Sequence, residues 1–135
     1  MKAPIVQSVM TRLPLEIEQI DNVANAKRMM ELFQIRHVPV MKGLHLKGIV
    51  SHRDILNAMI RHGSDIDDLP IDQICQHDVL KVSPVTPVDE VVQKMLDRNV
   101  GSAVVVDGEY VVGIFTSTDA LKTLGGLFGS KRASE

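Results

Sequence analysis

At 135 residues, with 44% hydrophobic residues and a mean hydropathy of +0.07, the chain has the size of one ordinary domain and enough apolar material for a packed core, which excludes wholesale disorder. With no Trp, one Tyr and three Phe, the core is expected to be aliphatic and Met-rich, and aromatic stacking platforms for single-stranded nucleic acid are scarce. A net charge of −2 gives no general attraction to DNA or to a membrane surface, and the single Cys75 excludes an internal disulfide and a cysteine cluster for zinc.

The start Met1-Lys2-Ala3-Pro4 lacks an apolar signal core and no apolar run reaches the length of a membrane span, so a cytoplasmic location is the default expectation. After Val9-Met10-Thr11 comes a short apolar piece around Leu15 and Ile17. Asp21 or Asn22 can cap a helix in which Val23, Ala26, Met30 and Phe33 share one face. His37 to Met41 reads as a buried strand, Lys42-Gly43 as a tight turn, and Leu46 to Val50 as the return strand. Ser51 opens a second helix with Ile55, Leu56, Met59 and Ile60 as its apolar face, and Gly63 stops it.

Asp65, Asp67, Asp68 and Asp72 then read as a solvated acidic connector without the ligand spacing of a calcium loop. Thr86-Pro87 predicts a capped helix start, with Val88, Val91, Val92 and Met95 as its core stripe. Ala103 to Val106, an Asp107-Gly108 turn and Tyr110 to Phe115 make a hairpin. A last helix starts at Thr116 and is expected to fade at Gly125-Gly126, leaving Gly129 to Glu135 as a disordered tail.

The second half restates the first. Gly48-Ile49-Val50-Ser51-His52-Arg53-Asp54-Ile55-Leu56 and Gly113-Ile114-Phe115-Thr116-Ser117-Thr118-Asp119-Ala120-Leu121 stand 65 residues apart, and the same offset pairs Leu15 with Leu80, Val23 with Val88, Met30 with Met95 and Gly43 with Gly108. Constant register over this length indicates duplication. Copies of about fifty residues are too small to secure separate cores, so they are expected to pack as one module. The expected division is 1–63 for the first repeat with its N-terminal segment, 64–73 for the linker, 74–125 for the second repeat and 126–135 for the tail. Residues 9–63 carry eight Lys/Arg against five Asp/Glu, and residues 74–125 carry four against seven, so one copy is net +3 and the other net −3.

Ser51-x-x-Asp54 and Thr116-x-x-Asp119 have the form of a capping box, in which hydroxyl and carboxylate satisfy orphan N–H groups reciprocally. They also have the form of half a nucleotide site. A helix N-terminus with hydroxyls from Ser51, Thr116 and Thr118 suits an anion, and an Asp one turn in can accept both hydroxyls of a ribose. Ser51-His52-Arg53-Asp54 is not a triad, because sequence neighbours on a helix point apart, and no phosphate loop of Walker type is present. His45, His62 and His77 lack metal-ligand spacing and Cys75 is expected in the core, so no metal site is predicted.

On the two Gly-h-h-[Ser/Thr]-x-x-Asp stretches, Gln34-Ile35-Arg36-His37-Val38-Pro39-Val40 and Asn99-Val100-Gly101-Ser102-Ala103-Val104-Val105-Val106-Asp107-Gly108, the chain from Val9 to Leu124 resembles a tandem pair of CBS domains, a Bateman module. The resemblance implies an α+β fold, sandwich-like, of two β-α-β-β-α repeats related by a pseudo-twofold axis and packed through their sheets. It implies a regulatory module for signal transduction that binds AMP, ADP or ATP, or else S-adenosylmethionine or NAD, in clefts between the repeats, with no catalysis and no required cofactor. It also implies a homodimer that acts on a separate enzyme or transporter. The alternative is a dimerisation or interaction module without a ligand.

Carried over by motif position, the favoured site would use Val85, Thr86, Val100, Gly101, Thr116, Thr118 and Asp119, with Arg36 and His37 on the phosphate. A second site would use Ile20, Asp21, Ile35, Ser51, Arg53, Asp54 and Ser102. The first is favoured because Asp21 puts a negative charge where the other copy has Thr86, and because Gly101 and Ser102 bring no charge to the second. The Arg that many relatives carry before the motif Asp is present as Arg53 and absent from the second copy, which reads Thr116-Ser117-Thr118-Asp119.

Overall fold

A computed structural model describes residues 2–12 and 14–133, the last four by backbone alone, so Ser134 and Glu135 of the expected tail lie outside the described residues. The elements are a 3-10 turn at Val6–Ser8, β1 (Thr11–Arg12), β2 (Ile17–Glu18), α1 (Val23–Phe33), β3 (His37–Lys42), β4 (His45–Ser51) and α2 (His52–His62), then a 3-10 turn at Ile71–Gln73, β5 (Lys81–Val82), α3 (Val88–Arg98), β6 (Ser102–Asp107), β7 (Tyr110–Thr116) and α4 (Ser117–Ala133). The offset of 65 recurs in both 3-10 turns, both hairpins and all four helix starts. It also recurs in the left-handed residues that end α1 and α3, Gln34 and Asn99. Each hairpin has a two-residue loop that opens on a glycine at positive φ, Gly43 or Gly108, a conformation in which a Cβ would be strained.

The chain divides into two compact units: Pro14–Val79, and Met1–Leu13 together with Leu80–Glu135. This differs from the division expected at 63 and 74. The leading segment of each repeat packs in the unit of the other because it supplies carbonyls to first-turn helix N–H groups that no intrahelical partner can satisfy. In one unit Val88 N–H donates to Pro4 O at 2.9 Å and Val6 N–H to Thr86 O at 2.8 Å. In the other, Val23 N–H donates to Leu69 O at 3.0 Å and Ile71 N–H to Asp21 O at 2.7 Å. The supposed acidic connector is therefore built in: Ile66 and Ile71 are 1% and 0% exposed, and Asp67 makes an ion pair with Lys27.

The first unit in chain order of its helices, Pro14–Val79, has the sheet β2-β3-β4, with β2 parallel to β3 and β3 antiparallel to β4. Its core gathers Val23, Ala26, Met30, Val38, Val40, Val50, Ile55, Ile66 and Ile71. The second has the sheet β1-β7-β6-β5 over Val6, Val82, Val91, Met95, Ala103, Val105 and Phe115. The hairpin register slips after Val40 and after Val105, again 65 apart.

Several expected details shift. Phe33, Leu56 and Ile60 are 53%, 46% and 82% exposed, because each helix buries only the narrow stripe that faces its own small core, filled on α2 by Ile55 and Ala58. Thr86 does not cap α3: Pro87 holds the cap position, and the Thr86 hydroxyl pairs with Ser83 at 3.0 Å. Of the two expected caps for α1, Asn22 fills the position, accepting from Asn25 N–H. The last helix runs through Gly125 and Gly126 to Ala133, since two glycines lower helix propensity by about 1 kcal/mol each without blocking any backbone hydrogen bond.

Candidate functional site

The glycine that opens each motif makes room for the exchanged segment. A Cβ on Gly48 would lie 2.5 Å from Gln76 O and 3.0 Å from Cys75 Sγ, and one on Gly113 would overlap the Met10 thioether. The close approach lets Ile49 bridge Gln76, with hydrogen bonds of 2.9 Å in both directions, and lets β1 pair with β7 at Thr11 and Ile114. It also delivers one polar side chain to each motif carboxylate.

Both motif aspartates are buried, each 8% exposed, and both form capping boxes. Asp54 Oδ2 accepts Ser51 N–H at 2.8 Å and Ser51 Oγ–H at 2.9 Å, while Asp54 N–H donates to Ser51 Oγ at 3.1 Å. Its Oδ1 accepts the Gln76 amide at 3.0 Å. Asp119 Oδ2 accepts Thr116 N–H at 3.0 Å and Thr116 Oγ1–H at 3.2 Å, and Asp119 N–H donates to Thr116 Oγ1 at 3.3 Å. The Thr11 hydroxyl spans both Asp119 oxygens at 3.2 and 3.3 Å, beyond the usual O–H···O range. Asp119 Oδ1 thus keeps more acceptor capacity than Asp54 Oδ1.

Thr11 and Gln76, absent from the residues expected above, also stand 65 apart. Carrying the repeat register back beyond Leu15 pairs them and exposes the signal.

Around Asp119, the Ser117 N–H donates to Gly101 O at 3.1 Å, which ties the entry of β6 to the start of α4. Thr116 is half-buried and Thr118 exposed. Val85 and Val100 are 65% and 37% exposed, apolar groups left in solvent. Thr86 is buried, with its carbonyl accepting from Val6 and its hydroxyl paired with Ser83.

Around Asp54 the equivalents recur: His52 N–H donates to Arg36 O at 2.9 Å, Ile20 is 82% exposed, Ile35 is half-buried and Arg53 is exposed. Asp21 accepts the Asn22 N–H at 2.8 Å and also the Asn25 amide. Arg36 and His37 sit with the Asp54 motif of their own unit. Burial holds the His37 ring below the usual histidine range; the Asp54 carboxylate pulls it up, and Arg36 and Arg53 push it down. Ser102, which takes the place of His37 in the other repeat, is buried.

A groove of about 410 Å³ runs between α1 and α2, lined by Met30, Ile55, Leu56 and Met59 with Lys27, Arg36 and His52 at its edges. Neither motif aspartate lines it. Burial, with Asp72 and Asp54 nearby, pushes the Cys75 thiol up to about 11, so it is a protonated group at neutral pH and a poor nucleophile. Asp72, expected on the connector, and His77, both exposed, are brought to within 4.8 Å of that sulfur.

Among the described residues no helix is long and apolar enough to cross a membrane. A family model for the CBS domain matches the chain twice, at residues 6–61 and 71–126. The solved structure of a Vibrio cholerae protein assigned to acetoin utilization (AcuB) is similar, with 31% identity, a TM-score of 0.86 and 98% of each chain covered. The CBS domain pair of protein MJ0100, solved with 5′-methylthioadenosine and S-adenosyl-L-methionine, is 27% identical, with a TM-score of 0.84 over 92% of this chain and 98% of that one. Among curated proteins, the A-adding tRNA nucleotidyltransferase of Geobacter sulfurreducens is 27% identical over 133 residues, and the chain spans only 14% of that enzyme's length.

Proposed function

The chain belongs to the CBS-domain family as a tandem pair, and on that premise we propose that it is a regulatory module that binds an adenosine-containing ligand without transforming it. The observation that carries the reading is the Asp119 carboxylate. It is buried and oriented by Thr116, yet among the described residues its Oδ1 is met only by the weak Thr11 contact at 3.2 Å. A ribose diol can displace that rotatable hydroxyl at small cost, whereas at Asp54 it must displace the Gln76 amide. The solvent-exposed Val85 and Val100 supply an apolar surface for adenine, and the start of α4 with Thr116 and Thr118 suits a phosphate.

The ligands seen with the MJ0100 domain pair support adenosine as the common element. AMP, ADP and ATP are the first choices, S-adenosylmethionine and NAD the next. The second site is assigned to Ile20, Asp21, Ile35, Ser51, Arg53, Asp54 and Ser102. A cytoplasmic location and a separate enzyme or transporter as the regulated target belong to the same proposal.

Calorimetry and thermal unfolding against this panel test it. Asp119→Ala is expected to weaken binding by about 10- to 100-fold, the loss of a charge-assisted hydrogen-bond pair, and Asp54→Ala by less. The reverse order overturns the choice of site, and no binding by any of the five ligands overturns the function.

A second reading rests on the apolar side chains that the helices leave in solvent: Leu32 at 70%, Ile60 at 82%, Leu96 at 68% and Leu121 at 69%. Such surface suits self-association, and a homodimer is proposed with or without ligand. Sedimentation of the wild type against Ile60→Lys and Leu121→Lys distinguishes a dimer from a monomer.

A further inference from the structure

Three side chains with different metal-binding chemistry converge on the segment that carries Gln76. A carboxylate oxygen of Asp72, the Cys75 sulfur and a ring nitrogen of His77 lie within 4.8 Å of one another. His77 Nε2 is 3.8 Å from Cys75 Sγ and 3.8 Å from Asp72 Oδ1. In a tetrahedral zinc site, with bonds of about 2.3 Å to sulfur and about 2.0–2.2 Å to nitrogen and oxygen, neighbouring ligand atoms stand about 3.4–3.6 Å apart. The ligand atoms, up to 4.8 Å apart, draw together on a metal through rotation of the exposed Asp72 and His77 side chains.

The surroundings of the ring give a second, independent indication. His77 Nδ1 is 3.2 Å from Lys47 O, and in the tautomer in which Nδ1–H donates to that carbonyl the Nε2 lone pair is free for a metal; Cys75 Sγ stands 4.0 Å from Nδ1 and 3.8 Å from Nε2. A backbone carbonyl holding the far nitrogen is the usual outer support of a metal-bound histidine. In that tautomer Nε2 also faces Asp72 O at 3.2 Å, with Cys75 Sγ 3.8 Å from the same oxygen. Two lone pairs at this distance repel unless a cation lies between them. In the other neutral tautomer Nε2–H donates to Asp72 O and Nδ1 faces Lys47 O unpaired, so one ring proton serves only one of the two carbonyls; a metal shared by Nε2 and Asp72 O, or a second proton on the ring, satisfies both contacts.

We propose that Asp72, Cys75 and His77 bind one divalent transition metal ion, for which zinc is the best match. A thiolate, an imidazole and a carboxylate form a borderline-soft set, and Asp72 O or water completes four-coordination. On binding, the Cys75 S–H proton passes to solvent and a sulfur–metal bond replaces it. The Asp72 and His77 side chains, 51% and 58% exposed, leave a path for entry. The other repeat has Gln7, Met10 and Arg12 at the three equivalent positions, so one metal is expected per chain.

The test uses the reduced, untagged full chain without nucleotide, so its failure is separate from failure of the ligand-sensing reading. Zinc is titrated in competition with a chromophoric chelator, and cobalt(II) serves as a spectroscopic probe. One equivalent of zinc and a thiolate-to-cobalt charge-transfer band are expected. Cys75→Ser abolishes the band, and His77→Gln and Asp72→Asn, at exposed positions that do not endanger folding, each weaken zinc binding at least about tenfold. Zinc also raises the wild-type melting temperature and leaves that of His77→Gln unmoved. No retained zinc, unchanged affinity in His77→Gln, or a melting temperature that falls on this substitution equally with and without zinc overturns the proposal; the last outcome marks a protonated imidazole bridge instead.

Discussion

Asp54 and Asp119 occupy the same place in two units of the same design, and they are held differently. Asp54 takes an amide hydrogen bond of 3.0 Å from Gln76 and a compact cap from Ser51 at 2.8 and 2.9 Å. Asp119 takes a stretched hydroxyl at 3.2 and 3.3 Å from Thr11 and a looser cap from Thr116 at 3.0 and 3.2 Å. One carboxylate is the more fully hydrogen-bonded, whereas the other keeps acceptor capacity. The backbone repeats between the two units, and single side chains on the exchanged segments make the two environments differ.

The largest expected effect concerns the two motif glycines. Gly48→Ala drives a methyl into the Gln76 carbonyl, which moves only with its backbone, and is expected to cost about 2–3 kcal/mol in urea denaturation. Gly113→Ala meets the flexible Met10 side chain and is expected to cost about 1 kcal/mol. Equal costs would show that the two exchanged segments are held alike. Next come the caps: Ser51→Ala and Thr116→Ala each remove an N-cap acceptor, a loss of about 1 kcal/mol, with the larger loss at Ser51 where the hydrogen bonds are shorter.

Smaller again is removal of the outer donors. Thr11→Val is expected to change stability by less than about 0.5 kcal/mol, and Gln76→Ala by about 1 kcal/mol, because the amide bond is the better made of the two. If Thr11→Val instead strengthens adenosine binding, the hydroxyl acts as a displaceable stand-in for the ribose. The smallest effect is a pH dependence confined to one repeat. Burial lowers the His37 pKa in the folded chain, so as pH falls the unfolded chain takes up this proton first. Stability is full above the ordinary histidine value of about 6.5 and is lost as pH falls from there through the lower folded value. His37→Ser, which copies Ser102, should flatten the change in urea midpoint between about pH 7.5 and about pH 5.5.

Much of this was legible because repeats and caps are local. The offset of 65 located both hairpins and every helix, and Ser51, Gly63, Gly43 and Gly108 cap or turn where their chemistry predicts. Helix faces were less legible. Hydrophobic spacing assigns Phe33, Leu56 and Ile60 to the core, but a small unit has room for only one narrow stripe per helix and leaves them exposed. Thr86 failed as a cap because its hydroxyl pairs with Ser83, three residues back, while its carbonyl accepts from the distant Val6.

The sequence by itself determined the duplicated architecture and the two carboxylates, since periodicity, turn glycines and the hydroxyl-x-x-Asp spacing act within a few residues. Only the tertiary structure decided that the leading segments exchange. That exchange sets Thr11 against Asp119 and Gln76 against Asp54, and it gathers Asp72, Cys75 and His77 beside Gly48 and Lys47. Those contacts join residues 22 to 108 positions apart, and no local pattern specifies which segment supplies the carbonyls that the helix starts require.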